Sequence, residues 1–142
     1  MHHIVRADEI NFQPPPNYQK HSQGYSRFAM VDHRVQGAVH SGTGLCRLEP
    51  GGVIAPHVHS FEEGFYIMEG EALVSLDDRA YRLGPGDYGV MQIGVPHAWR
   101  NIGPEPVRWL EMLSPQPRPD THPEQDTFFL KDGHAPEDAG PP

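Results

Sequence analysis

The amino-acid sequence predicts a single all-β domain, a sandwich or barrel built from short strands. The chain of 142 residues has the length of one domain. Its 15 glycines and 16 prolines interrupt the apolar segments at short intervals. No stretch keeps a helical periodicity over three turns, whereas Ala72, Val74 and Leu76 recur at every second position, as on one face of a strand.

The predicted strands lie between these turn residues. Along the chain they cover residues 43–48, 53–58, 64–68, 72–76, 80–83, 88–93, 97–101 and 107–113. Between several of them lie turn sequences rich in Gly, Pro and Asp, at residues 50–52, 69–70, 77–78 and 84–87. Many short strands at regular spacing are typical of β-sandwiches and barrels.

Both ends of the chain differ from this middle part. Residues 1–24 are predicted as an irregular N-terminal segment, because Pro14-Pro15-Pro16 disfavours a helix. Residues 114–142 are predicted as a Pro-rich acidic arm, with 7 of the 16 prolines. The apolar cluster Phe128-Phe129-Leu130 leaves two interpretations of this arm open. It is a disordered tail, or it docks both phenylalanines on the barrel or on a partner subunit.

Composition excludes several classes of protein. The net charge of −8 argues against nucleic acid or an anionic membrane as the main partner. The single cysteine, Cys46, rules out an intramolecular disulfide framework. No apolar run approaches the roughly 18 residues of a membrane span, and residues 1–6 lack a signal-peptide core. We therefore expect a cytoplasmic protein.

The residues that indicate chemistry are histidines. His57 and His59 are two positions apart, so in a strand both side chains project from one face. Two imidazoles on one face make half of a transition-metal site. Glu63 follows after a predicted bend and can supply an oxygen ligand, and a third imidazole can come from His97 on a later strand.

These residues resemble the signature of the cupin family. Its first motif is a Gly, five residues, His-x-His, three or four residues, Glu, six residues and Gly; this sequence has Gly51, His57, His59, Glu63 and Gly70 in that register. Its second motif is a Gly, five residues, Pro-x-Gly, two residues, His, three residues and Asn. This sequence matches it with Gly86, Gly94, His97 and Asn101, and departs from it at Gln92, a turn position where the family has Pro.

The resemblance implies an antiparallel jelly-roll β-barrel, expected over residues 25–113, with one divalent transition metal per chain. By carry-over, the metal ligands are His57, His59, Glu63 and His97. Iron, manganese, zinc and nickel are all compatible with such a ligand set, and iron is slightly preferred. A six-coordinate metal with these ligands keeps two positions for water, substrate or O₂.

Three functions remain open, each with a small-molecule substrate or ligand. The first is a non-haem iron dioxygenase-type oxidoreductase, in which Glu63 stays a ligand or acts as the catalytic base. The second is a non-redox metal-dependent decarboxylase, isomerase or aminohydrolase. The third is a binding protein whose metal only organises a ligand pocket. Open strand edges need cover, so we also expect a homodimer, with residues 25–36 as the covering strand.

Strand alternation adds expectations for the interior. Phe65 and Ile67 share the face of Glu63 and should point inward, whereas Tyr66 and Met68 should point outward. Trp99 is expected to enter the cavity or close its mouth, and Cys46 is expected in the core. Asn101 is expected to cap backbone groups. Arg47 is expected at the surface; if it points inward instead, it would bind a substrate carboxylate.

Overall fold

The computed structural model describes residues 2–116 and 126–131. Two short 3-10 turns, Ala7–Glu9 and Pro16–Tyr18, precede the first strand. The strands in the described residues are β1 (Ser22–Val31), β2 (Gly42–His59), β3 (Glu62–Glu69), β4 (Ala72–Leu76), β5 (Arg79–Leu83), β6 (Tyr88–Met91), β7 (His97–Asn101), β8 (Val107–Ser114) and β9 (Thr127–Phe129).

All pairs of neighbouring strands are antiparallel, and the strand order is β5-β4-β7-β2-β8-β3-β6. Strands β1 and β9 pair with β2 outside this path. The predicted antiparallel jelly-roll fold is confirmed. Within residues 2–116 and 126–131, no helix has the length and apolar character needed to cross a membrane.

The long strand β2 connects the two halves of the barrel. Its N-terminal half pairs with β8 and its C-terminal half with β7. The predicted break at residues 50–52 does not separate two strands; the chain bulges there, with Gly51 at a φ of 73°. A second irregularity follows, where the register shifts by one residue between Ile54 and His57 relative to β7.

Two strands differ from the prediction. The covering strand expected over residues 25–36 is β1, which begins earlier, at Ser22, ends at Val31 and pairs with β2 of the same chain; Gly24 has a φ of 71° within it. Strand β9 lies within the predicted C-terminal arm and pairs with the end of β2. Its three residues alternate too briefly, in a segment rich in proline and charge, to stand out as a strand in the sequence.

The hydrophobic core lies between the two halves. Trp99 of β7 stacks on Trp109 of β8, with ring centroids 4.4 Å apart and an interplanar angle of 7°. Phe65 and Ile67 are buried, as predicted for inward residues of β3. Tyr66 and Met68 are exposed, as also predicted, so the alternation of this strand follows the sequence pattern.

Asn101 fixes the end of β7. Its side-chain amide donates to the carbonyl oxygens of Leu48 (2.9 Å) and Glu105 (2.8 Å), and its Oδ1 accepts from the Gly103 amide (2.9 Å). The predicted capping role of Asn101 is thereby confirmed. Because Asn101 is buried, water cannot reach its amide group, and these bonds supply the hydrogen-bond partners that water would otherwise provide.

Of the two phenylalanines in the arm, only Phe129 packs against the barrel. The side chain of Phe129 stacks on His21 at 4.0 Å and meets the rings of Tyr18 and His57 at 5.1 and 5.2 Å. Phe128 is 49% exposed. The expectation that both phenylalanines dock on the barrel of the same chain is therefore wrong, because neighbouring side chains of a strand face opposite sides. Residues 117–125 and 132–142 of the predicted arm lie outside the described residues.

We predict that Phe129→Ala lowers the melting temperature by about 3–8 °C, since removing a half-buried ring costs about 1–2 kcal/mol. The matched control is Phe128→Ala, which removes an exposed ring from the same strand and should shift melting by less than about 1 °C. Thermal unfolding of metal-free protein measures both. Equal shifts for the two variants would mean that the packing of the Phe129 ring contributes no more to stability than the exposed ring of Phe128.

Candidate metal centre

Three histidines meet inside the barrel. His57 and His59 come from the last residues of β2, and His97 is the first residue of β7, paired directly with His57. The register shift after Ile54 moves the inward face of β2 from even-numbered to odd-numbered positions, which turns both β2 histidines into the interior.

The three imidazoles form a compact group. Their ring centroids are 4.1 Å apart for His57 and His97, and 4.8 Å apart for the other two pairs. One nitrogen of each ring lies within 4.8 Å of the corresponding nitrogens of the others, so one metal ion can be shared by all three. All three side chains are buried.

Backbone carbonyls fix the tautomers of two of these rings. Nδ1 of His57 lies 2.8 Å from the carbonyl oxygen of Ala55, and Nδ1 of His97 lies 2.9 Å from that of Val95. A carbonyl oxygen only accepts, so each Nδ1 carries the proton. In the neutral ring, Nε2 then has a lone pair available for a metal, the arrangement that metal-binding histidines adopt.

His59 is held by the arm. Its Nδ1 lies 3.1 Å from Thr127 Oγ1, and the Thr127 hydroxyl donates to Asp126 Oδ1, also at 3.1 Å. Because the hydroxyl proton is used on Asp126, Thr127 accepts the Nδ1 proton of His59. Asp126 is only 1% exposed. The chain His59–Thr127–Asp126 thus orients the third imidazole in the same way, through a side chain instead of a carbonyl.

Glu63 approaches the cluster from β3. Its Oε2 lies 2.9 Å from His59 Nε2, and both side chains are buried. With Nδ1 protonated toward Thr127, a carboxylate oxygen and an imidazole lone pair face one another at this distance. A proton or a metal cation is needed between them. The structure therefore places the predicted fourth ligand beside the histidines, in contact with His59.

The electrostatics favour the neutral form of His57 and His97. Burial lowers the pKa of His57 well below its usual value, and the neighbouring rings of His97 and His59 lower it further. Burial likewise lowers the pKa of His97, although Glu63 opposes this. Within the described part of the chain, His97 Nε2 is buried with no hydrogen-bond partner. A divalent metal fits this donor set for two reasons. It would give His97 Nε2 a partner, and its positive charge would compensate the carboxylate of Glu63 and the lone pair of His59 that face one another.

An aromatic wall borders the histidines and was not predicted from the sequence. The hydroxyl of Tyr18 lies 3.5 Å from His57 Nε2, and its ring packs on those of Tyr25 and Phe129. Tyr18 follows the proline run in the segment predicted to be irregular. No periodicity marks it, because its position depends on a single 3-10 turn.

The other singled-out residues lie away from the centre. Arg47 is at the surface, where its Nε donates to Glu49 at 2.7 Å. Cys46 is fully buried, as predicted, with its Sγ 3.4 Å from the Tyr25 hydroxyl. Trp99 is part of the core stack instead of standing at a mouth.

Comparisons with known proteins agree with this description. The family model of the cupin domain matches residues 44–114. Protein SchB of Streptomyces halstedii is 32% identical over 119 residues, which cover 82% of this chain and 81% of that protein. The chain belongs to the cupin family, as its two histidine motifs indicated.

Further relatives are named for polyketide chemistry. The polyketide synthase CurC of Streptomyces cyaneus is 38% identical over 86 residues, or 58% of this chain; the match spans 55% of CurC, just over half its length. The solved structure of the polyketide cyclase RemF from Streptomyces resistomycificus has a TM-score of 0.77 and 20% identity, covering 96% of this chain and 90% of that chain.

The same fold occurs in cupins named for other reactions. A predicted oxalate decarboxylase from Thermotoga maritima has a TM-score of 0.69 at 20% identity, covering 80% of this chain and all of that one. At such identities, the structural likeness establishes the fold and leaves the reaction open.

We predict that Thr127→Val weakens zinc binding by about tenfold, because His59 loses the partner of its Nδ1 while the volume of the side chain is kept. Thr127→Ser keeps the hydroxyl and should bind zinc within about twofold of the parent protein. Competition with a chromogenic chelator measures both affinities. If the Val and Ser variants bind zinc equally, the hydroxyl does not orient His59.

Proposed function

We propose that the chain is a metal-dependent enzyme that forms a carbon–carbon bond within an enolisable, polyketide-type substrate, without net redox chemistry. The observation that carries the proposal is the buried Glu63 carboxylate beside three imidazoles whose Nδ1 positions are all occupied. This arrangement combines a base with a metal-binding group in an enclosed space, as proton abstraction next to a carbonyl requires.

Each protein group would have a separate task. His57, His59 and His97 would hold a divalent metal through Nε2, and such a metal would supply Lewis-acid polarisation of a carbonyl oxygen. The carbonyls of Ala55 and Val95 and the hydroxyl of Thr127 would keep the imidazoles in orientation. The aromatic wall of Tyr18 and Phe129 would limit the access of water and pack on the substrate.

Glu63 is the candidate general base. A hydrogen between two carbonyl groups is acidic, and Glu63 would accept it at a carboxylate oxygen. The resulting carbon nucleophile would attack a second carbonyl carbon of the same molecule, forming one carbon–carbon bond as the π bond of that carbonyl opens. The alkoxide oxygen would then take the proton back from Glu63 and become a hydroxyl. Loss of the new hydroxyl with one hydrogen releases water. Atoms and electrons balance without an oxidant.

The relatives support this choice over the other functions. CurC and RemF carry the names of a polyketide synthase and a polyketide cyclase. The predicted dioxygenase is the second candidate, because the same three histidines and carboxylate also suit non-haem iron. The oxalate decarboxylase of Bacillus subtilis, which shares this fold, contains Mn(II) centres. The identity of the metal here, the homodimer and the cytoplasmic location stay predictions.

We predict that His97→Ala abolishes stoichiometric metal binding, since one of three nitrogen ligands is lost. Glu63→Gln should lose less metal, because an amide oxygen can still ligate weakly. The matched control is His21→Ala, an exposed imidazole that stacks on Phe129 outside the cluster. Elemental analysis after purification without an affinity tag measures all three. Full metal occupancy in the His97 variant would refute this ligand assignment.

We predict turnover of a linear poly-β-ketone thioester in the strict absence of O₂, to a cyclic product lighter by one water. Glu63→Gln should lower the rate by about 100-fold or more, as loss of a general base does. Glu62→Gln, which changes the exposed neighbour, should leave the rate unchanged. Mass spectrometry of the product and an oxygen electrode measure the outcome. Turnover that requires O₂ and adds oxygen to the product would favour the dioxygenase instead.

A further inference from the structure

A second polar cluster lies inside the barrel, beside the histidines. Arg27 of β1 and Glu111 of β8 form an ion pair across β2, with Arg27 Nε 2.5 Å from Glu111 Oε2. We propose that Arg27 binds a carboxylate or an acidic enol oxygen of the substrate while the metal centre acts on a neighbouring carbonyl. This inference rests on the function proposed above and specifies an anionic substrate class for it.

The backbone makes room for this pair. Arg27 and Glu111 extend toward one another over Gly44, which pairs with Glu111 in the ladder between β2 and β8. A Cβ atom at Gly44 would lie 2.7 Å from Arg27 Nη2 and 2.8 Å from Glu111 Oε2. Any side chain at this position would therefore displace the guanidinium or the carboxylate.

The guanidinium keeps donors available for a ligand. Glu111 engages Nε, and within the described residues neither Nη1 nor Nη2 of Arg27 has a hydrogen-bond partner. The side chain of Arg27 is 22% exposed, whereas that of Glu111 is 8% exposed. A planar guanidinium that is anchored at one side can present its two remaining amino groups to a carboxylate as a fork.

The cluster faces the same interior as the metal centre. Arg27 pairs with Cys46 of β2 in the ladder, and both lie on its inward face. Burial raises the pKa of the Cys46 thiol, and the charges of Glu111 and Glu63 raise it further, so both carboxylates lie within electrostatic reach of one sulfur. Glu63 in turn contacts His59.

A continuous set of rings also connects the two groups. Tyr25 donates to or accepts from Cys46 at 3.4 Å, and its ring lies 5.2 Å from Tyr18, which is 5.4 Å from His57. The wall between Arg27 and the histidines is thus aromatic. It suits a planar, conjugated substrate that carries an acidic group at one end.

The pair also has a cost that a purely structural role would not explain well. Burying a carboxylate and a guanidinium costs solvation free energy, and apolar residues of similar volume often stabilise a core as well or better. Glu111 as a counter-ion keeps Arg27 inside when no substrate is bound. The amino groups Nη1 and Nη2 of Arg27 would then favour an anionic ligand over a neutral one.

The test compares two small probes of nearly equal size, the anionic acetoacetate and the neutral acetoacetamide, whose amide replaces one carboxylate oxygen with an NH2 donor. Binding of each to the zinc-loaded protein is followed by calorimetry. We expect Arg27→Gln to weaken acetoacetate by about tenfold or more, as loss of a charge-assisted pair does, and to leave acetoacetamide within about twofold. The matched control is Arg47→Gln, a surface arginine paired with Glu49, which should change neither.

The outcomes separate this inference from the proposed function. If Arg27→Gln weakens both probes equally, or neither, Arg27 does not recognise charge, and the metal-centred proposal is unaffected. If neither probe binds the parent protein, both proposals fail. Should the Gln variant not fold, Arg27→Lys decides the question: it keeps the charge without the fork, and acetoacetate binding equal to that of the parent would overturn the bidentate role.

Discussion

Three imidazoles are buried in one barrel, where each Nδ1 needs a hydrogen-bond partner, and much of the surrounding structure follows from this requirement. The bulge after Ile54 turns His57 inward and, at the same point, leaves the carbonyl of Ala55 free to accept its Nδ1 proton. Val95 does the same for His97 in the turn before β7. Two backbone irregularities thus supply both the direction and the tautomer of the side chains.

The third imidazole has no such carbonyl and depends on the arm. Thr127 reaches His59 because β9 adds to the free side of the last residues of β2. The same pairing places Phe129 against His57 and Tyr18. The arm therefore completes the metal centre and its wall together, so its docking and the order of the site are coupled. That coupling gives so short a strand a place in the candidate site, although its apolar burial is small.

Much of the fold and half of the centre could be predicted from local pattern. The two-residue spacing of His57 and His59 is meaningful in any strand, and the alternation of β3 assigned Phe65 and Tyr66 correctly. The sequence did not identify Thr127 as a site residue, because its role depends on a contact with His59, which is 68 residues away in the chain. Alternation also could not identify Arg27: its segment contains Gly24, and its inward direction follows only from pairing with Cys46.

Polar groups divide the interior into two parts with different chemistry. On one side lie neutral imidazoles whose lone pairs converge, and on the other lies a guanidinium whose positive charge Glu111 only partly engages. The stacked pair of Trp99 and Trp109 fills the core next to them with apolar surface. A ligand that satisfies both parts must carry a carbonyl and an anionic group on one rigid frame. A neutral ligand would leave the guanidinium unpaired, and the desolvation cost of that unpaired group would provide the selectivity.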